Sequence, residues 1–180
     1  DIKKGSEIDI MGPLGRGYDV LSLKKGQTAL LVGGGIGVPP LYELAKQFNQ
    51  RGIKTIAILG FNTKDEVFYE EEFKKFGETY VSTVDGSVGT KGFVTDVIKK
   101  LQAENNLVFD KYYSCGPVPM LKALISTVGE DGYVSLENRM ACGIGACYAC
   151  VCKKKGKKKD AYTRVCYDGP VYLASDVEIE

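Results

Sequence analysis

The side chains able to do chemistry in this chain are its cysteines: there are six of them, and no histidine. The lack of imidazole excludes Ser-His-Asp and Cys-His catalysis, Cys2His2 zinc sites, Rieske centres and histidine-ligated haem. The cysteines are unevenly placed. Cys115 stands alone, whereas Cys142, Cys147, Cys150, Cys152 and Cys166 fall within 25 residues. A secreted disulfide scaffold spreads its cysteines through a small domain. A cluster at one end of a chain with an ordinary core reads as a metal site in a reducing, cytoplasmic compartment.

The spacing is Cys142-x4-Cys147-x2-Cys150, followed by fifteen residues and then Cys166. The x4/x2 spacing is that of plant-type [2Fe–2S] ligands. Four residues between the first two cysteines make a loop whose backbone N–H groups can point at sulfur. Gly143 and Gly145 allow the positive φ such a loop needs, and Ala146 and Ala149 leave room for an inorganic core. Inward N–H donors favour the reduced, more negative cluster. Zinc is the alternative, although structural zinc prefers C-x2-4-C knuckles in two pairs. Cys152 would share a strand face with Cys150 and is read as a small buried filler. The lysines at 153–155 and 157–159 flank Gly156 and read as an exposed hairpin tip, either a solvated turn or a contact for an acidic partner.

Elements must position these groups. Residues 28–32 (TALLV), 54–59 (KTIAIL), 79–84, 111–115 and 132–136 read as five buried strands. Helical patterns alternate with them: Leu41, Leu44, Ala45 and Phe48; an acidic helix over 66–76; Phe93, Val94, Val97, Ile98 and Leu101; and Met120, Leu121, Leu124 and Val128 after Pro117. The expected architecture is α/β, a five-stranded parallel doubly wound sheet over 26–136. Residues 7–11 read as a further strand running into Gly12-Pro13-Leu14-Gly15. From Glu137 the periodicity stops, and 137–180 is expected to be a small irregular or β domain that needs a metal to hold it. With 24 Lys+Arg against 23 Asp+Glu, nothing suggests affinity for nucleic acid. The longest apolar stretch is broken by glycines and closed by Pro39 and Pro40, so no membrane span is expected. The chain opens without Met or a signal peptide, so its native beginning is expected to be missing.

Gly33-Gly34-Gly35-Ile36-Gly37 follows the first buried strand and opens a helix, the arrangement that cradles pyrophosphate on backbone N–H groups. It does not match G-x-G-x-x-G, and a tight strand–helix turn is the simpler alternative. A second loop, Ser114-Cys115-Gly116-Pro117, also leaves a buried strand and opens a helix. Both lie at carboxyl ends of strands, where ligands of such sheets bind. Cys115 either faces that crevice or packs as a small residue. Asp65 either holds ribose hydroxyls or caps the helix that follows. No arginine stands there for a 2′-phosphate, which leans the reading to NAD over NADP despite Lys64. Glu70, Glu71 and Glu72 read as a solvated helix face.

Together these motifs resemble the ferredoxin–NADP reductase superfamily, with its GGGIG-xxP loop and its CGP-xx-M loop, here Cys115-Gly116-Pro117-Val118-Pro119-Met120. The tail SLENRMACGIGACYAC (135–150) is similar to the electron-transfer subunits of dihydroorotate dehydrogenase B. That resemblance implies an N-terminal FAD-binding β-barrel, of which only the end would fall in residues 1–25; Gly12-Pro13-Leu14-Gly15 and Gly17 resemble it. It implies cluster ligation by Cys142, Cys147, Cys150 and Cys166, pyrophosphate on Gly33, Gly34, Gly35, Ile36 and Gly37, and Cys115, Gly116 and Pro117 near the nicotinamide–flavin edge. It also implies a partner: an FMN-containing catalytic subunit that oxidises dihydroorotate in pyrimidine synthesis, with two copies of each subunit assembling. Electrons would then pass by way of the [2Fe–2S] cluster and FAD to NAD. Glu137 and Asn138 are candidates for contact with a flavin or partner. The alternatives are a hydrogenase- or glutamate-synthase-linked reductase subunit, and a zinc-stabilised module without redox activity.

Overall fold

The computed structural model describes residues 2–156 and 161–179. Lys157, Lys158 and Lys159 of the expected hairpin tip lie outside the described residues. A seven-stranded sheet runs through the molecule. Its strands are β1 (Thr28–Gly34), β2 (Lys54–Phe61), β3 (Gly77–Thr83), β4 (Thr90–Lys91), β5 (Lys111–Cys115), β6 (Gly132–Ser135) and β9 (Val171–Leu173), in the spatial order β4-β3-β2-β1-β5-β6-β9. The first six are parallel, and β9 pairs antiparallel with β6, Val134 opposite Tyr172. Strands β7 (Val151–Lys153) and β8 (Tyr162–Arg164) form a separate two-stranded ribbon.

The alternation of side chains along each strand splits the core in two. Ala29, Leu31, Ala57, Leu59 and Tyr113 face α1 (Val38–Gln50), which supplies Leu41, Leu44 and Phe48. Leu30, Val32, Ile56, Ile58 and Tyr112 face α3 (Val94–Ala103) and α4 (Val118–Val128), which supply Val97, Ile98, Leu121 and Leu124. Both strand faces are covered, which is why these strands read as unbroken apolar runs. The second core continues past Glu137 into Cys150, Val165, Cys166, Ala174 and Val177. Through it and through β9, the cysteine-rich segment is packed onto the sheet.

Three expectations about the elements are corrected. Residues 7–11 form no strand, and Ile8, Ile10 and Met11 are exposed. A strand needs a neighbour to take its backbone hydrogen bonds, and among the described residues none lies beside it. The acidic helix expected over 66–76 is a 3₁₀ turn at Lys64–Glu66 and a short α2 at Glu70–Lys74. Tyr69 separates them at φ 65°, its ring stacked 5.0 Å from Tyr42. That aromatic contact outweighs the helical propensity of the glutamates. The sheet also gains β4 and β9 at its two edges; each is only two or three residues long, too short for a periodic pattern to show.

Candidate functional site

Two sites emerge, one at the carboxyl ends of the parallel strands and one in the cysteine segment. At the first, β1 runs into a 3₁₀ turn at Gly35–Gly37 and then α1, which accepts Pro39 and Pro40 in its first turn because those N–H groups lack helical partners. This loop packs directly on the loop after β5. A Cβ at Gly37 would lie 2.1 Å from Cys115 O, and one at Gly34 would lie 2.6 Å from Met120 Sδ. Only glycine permits that approach.

A cavity of about 370 Å³ opens beside the two loops, over the ends of β1, β2 and β3. Gly34, Gly35 and Pro117 line it. Gly33 and Gly37 pack behind, and Ile36 projects from the loop tip, 83% exposed. Asp65 is exposed and outside the lining; the acidic side chain that reaches the cavity is Glu66. Its carboxylate accepts the Asn62 N–H at 3.2 Å and Asn62 Nδ2 at 2.9 Å. The two carboxylates are adjacent in the chain, and the Asn62/Glu66 spacing of four is the only sequence signal that separates them. Ser82 Oγ is fully buried against this cavity and has no hydrogen-bond partner among the described residues. An orphaned hydroxyl and a side-chain-free glycine wall suit a polar, phosphate-bearing ligand.

Cys115 is half-buried at the end of β5, outside this cavity lining. Burial pushes its thiol up, a hydrogen bond with Ser135 opposes that, and the carboxylate of Glu137 adds to it. Tyr18 lies beside it and donates to Ser114 O at 2.8 Å. Gly116 carries the backbone from Cys115 into the turn that opens α4, where an added Cβ would meet Met120 Cε at 2.6 Å.

In the second site the chain from 137 to 149 buries only Gly143 and Gly145, so this loop has no side-chain core. Gly143 and Gly145 take φ values of 71° and 81°, which turns the loop around Cys142. Cys147 N–H donates to Cys142 Sγ at 3.4 Å, and backbone N–H groups of Ile144 and Ala146 also face that sulfur. These donors hold the Cys142 thiol down at about 6. Cys166 N–H donates to Cys150 Sγ at 3.4 Å, and the proximity of Cys150 raises the Cys166 thiol. The four cysteines thus form two pairs, 142/147 and 150/166, and Cys166 also senses Cys142. Among the described residues no three His, Cys, Asp or Glu side chains converge as a cage for one ion. Thiolates met by inward N–H groups, in two pairs, fit a two-metal cluster.

Cys152 pairs with Thr163 in the β7–β8 ribbon and is half-buried against the core; burial pushes its thiol up. Asn138 accepts Arg139 N–H at 2.7 Å and donates to Val151 O at 3.1 Å, so it tethers the exit of β6 to β7. Glu137 is exposed.

A sheet with a glycine-walled ligand cleft, joined to a segment of paired cysteines, defines an oxidoreductase of ferredoxin-reductase build. Comparison with known proteins agrees. An "oxidoreductase NAD-binding domain" profile matches residues 31–125, and the "iron-sulfur cluster binding domain of dihydroorotate dehydrogenase B" matches residues 137–178. The chain is 91% identical over 180 residues to the dihydroorotate dehydrogenase B (NAD(+)) electron transfer subunit of Fusobacterium nucleatum, covering all of this chain and 69% of that one. It is 57% identical over 178 residues to the subunit of the same name from Lysinibacillus sphaericus, covering 98% and 68%. A solved NADH-dependent reduced ferredoxin–NADP oxidoreductase superposes with a TM-score of 0.81 at 34% identity, over 96% of this chain and 60% of that one. The chain belongs to the family of dihydroorotate dehydrogenase B electron transfer subunits, and spans about two thirds of the length of its curated relatives. The hydrogenase-linked, glutamate-synthase-linked and zinc-module readings are not favoured by these matches. Among the described residues no helix is long and apolar enough to cross a membrane.

Proposed function

We propose that this chain is the electron outlet of a partner subunit that oxidises dihydroorotate on FMN, two copies of each assembling in the cytoplasm for pyrimidine synthesis. Cys142, Cys147, Cys150 and Cys166 would hold a [2Fe–2S] cluster. The observation that carries this reading is the pairing of the four thiols, each pair joined by a backbone N–H donated to sulfur. When bound, a [2Fe–2S] cluster supplies one-electron transfer, NAD accepts a hydride, and FAD, held by the family's N-terminal barrel, reconciles the two.

The chain's own residues prepare these events. The N–H groups of residues 144, 146 and 147 stabilise negative charge on Cys142. Gly34 and Gly35 let the pyrophosphate approach backbone N–H groups at the start of α1. Glu66, oriented by Asn62, accepts the ribose hydroxyls. Among the described residues no Lys or Arg lines the cavity, so a 2′-phosphate would meet a carboxylate without a counter-charge. Cys115, Gly116 and Pro117 would line the approach of the nicotinamide to the flavin, with Ser135 hydrogen-bonded to the Cys115 thiol. The loop at 144–149, exposed except at Gly145, would face the catalytic partner.

The test uses the full-length subunit, purified anaerobically with its partner. The expected result is about two irons and two acid-labile sulfides per chain, a one-electron EPR signal on reduction, and NAD+ reduction that depends on dihydroorotate. Zinc without sulfide, or a complex inert to dihydroorotate, overturns the reading.

A further inference from the structure

Arg164 ends β8, two residues before Cys166. Its guanidinium reaches across to the loop that carries the other cysteine pair. One terminal nitrogen, NH1, donates to Gly145 O at 3.0 Å. Nε and NH2 donate to the two oxygens of Asp168 at 3.0 and 3.3 Å, and the Arg164 backbone N–H donates to Asp168 Oδ2 at 3.0 Å. The guanidinium carbon also lies over two rings, 4.5 Å from the Tyr167 centroid and 5.2 Å from the Tyr148 centroid. Tyr148 follows Cys147, and Tyr167 follows Cys166. A Cβ at Gly145 would come within 2.9 Å of Tyr167 Cβ and 3.2 Å of the NH1 nitrogen, so the loop closes on this group only as glycine.

An exposed arginine–carboxylate pair on its own contributes little. This one differs because the same cation touches both ligand-bearing segments, and the 137–149 loop buries no side chain that would dock it otherwise. We propose that Arg164 is the positioning residue of the cysteine site: it locks the Cys142/Cys147 loop against the Cys166 turn, and so sets the separation of the two thiolate pairs. The inference rests on the four-cysteine reading above. It requires the planar fork of arginine, because a lysine ammonium cannot bind Asp168 bidentately and reach Gly145 O at once.

The experiment compares wild type, Arg164→Lys and Arg164→Gln in the full-length subunit with its partner, prepared anaerobically. Both variants are expected to carry iron and sulfide when fresh, then to lose visible absorbance to a chelator about tenfold faster than wild type or more. Their reduced EPR line shape and midpoint potential shift, and lysine does not rescue either. Tyr167→Leu, which removes one flanking ring and no hydrogen bond of Arg164, moves the same readouts less and serves if the arginine variants do not fold. Variants whose bleaching, EPR line shape and potential all match wild type overturn the role of Arg164. A wild-type protein without iron and sulfide overturns the four-cysteine reading itself, and the two failures are thereby told apart.

Discussion

The parallel sheet and the cysteine loop are held together by opposite means. From β1 to β6 the chain buries Leu, Ile, Val, Phe and Tyr side chains on two faces, with Leu30, Leu31, Val32, Phe48, Ile58 and Tyr113 fully enclosed. From 137 to 149 it buries two glycines and nothing else. Hydrophobic transfer therefore stabilises the sheet in the absence of any ligand, at roughly 25 cal/mol per Å² of apolar surface removed from water. The loop has no such term. It depends on N–H···S bonds, on Arg164 and on whatever the thiolates grip, so metal binding and folding are coupled there. The general lesson is that one chain can carry a rigid shelf for a coenzyme beside a segment whose order is conditional.

Cys147→Ser breaks this contrast most sharply. It is expected to abolish the visible absorbance and to deprotect amides 142–150 in hydrogen exchange, while the amides of β1, β2 and β5 keep their protection. Cys152→Ser, which leaves both thiol pairs intact, should retain the full spectrum; bleaching in that variant would make Cys152 a ligand. Gly37→Ala attacks the shelf instead. Its Cβ would collide with Cys115 O, so a stability loss of about 1–3 kcal/mol is expected, read by urea titration, with weakened NAD binding.

Glu66→Ala sharpens the comparison without touching the core. Loss of a charged hydrogen-bond acceptor should raise KM for NAD about tenfold and leave kcat nearly unchanged, with discrimination against NADP relaxed. The smallest effect lies at the amino end of the sheet. The Thr28 N–H and the Gln27 side chain hold the Asp110 carboxyl below its ordinary value of 3.8. Because the folded value is depressed, the stabilisation is complete above that ordinary value and is lost as pH falls through the folded one. Asp110→Asn should lower Tm slightly at pH 7, and the two proteins should converge once the pH has fallen through the depressed folded value.

Much of this was legible in advance. The five buried strands, the glycine loop, Pro117 at a helix start and the C-x4-C-x2-C spacing are local patterns whose physics acts within a few residues. The failures share one cause. Residues 7–11 alternate like a strand but have no neighbour among the described residues to pair with. Residues 66–76 favour a helix until Tyr69 stacks on Tyr42, 27 positions away in the chain.

Periodicity and spacing alone determined the class of sheet and marked out the glycine loop and the C-x4-C-x2-C run, because side-chain alternation and motif spacing are properties of short segments. Tertiary structure decided which cysteines lie together, that Glu66 and not Asp65 lines the cavity, how β9 binds the tail to the sheet and that Arg164 bridges the Gly145 loop and the Asp168 turn. Those are distances between residues far apart in the chain, and they exist only once the backbone has closed around a common core.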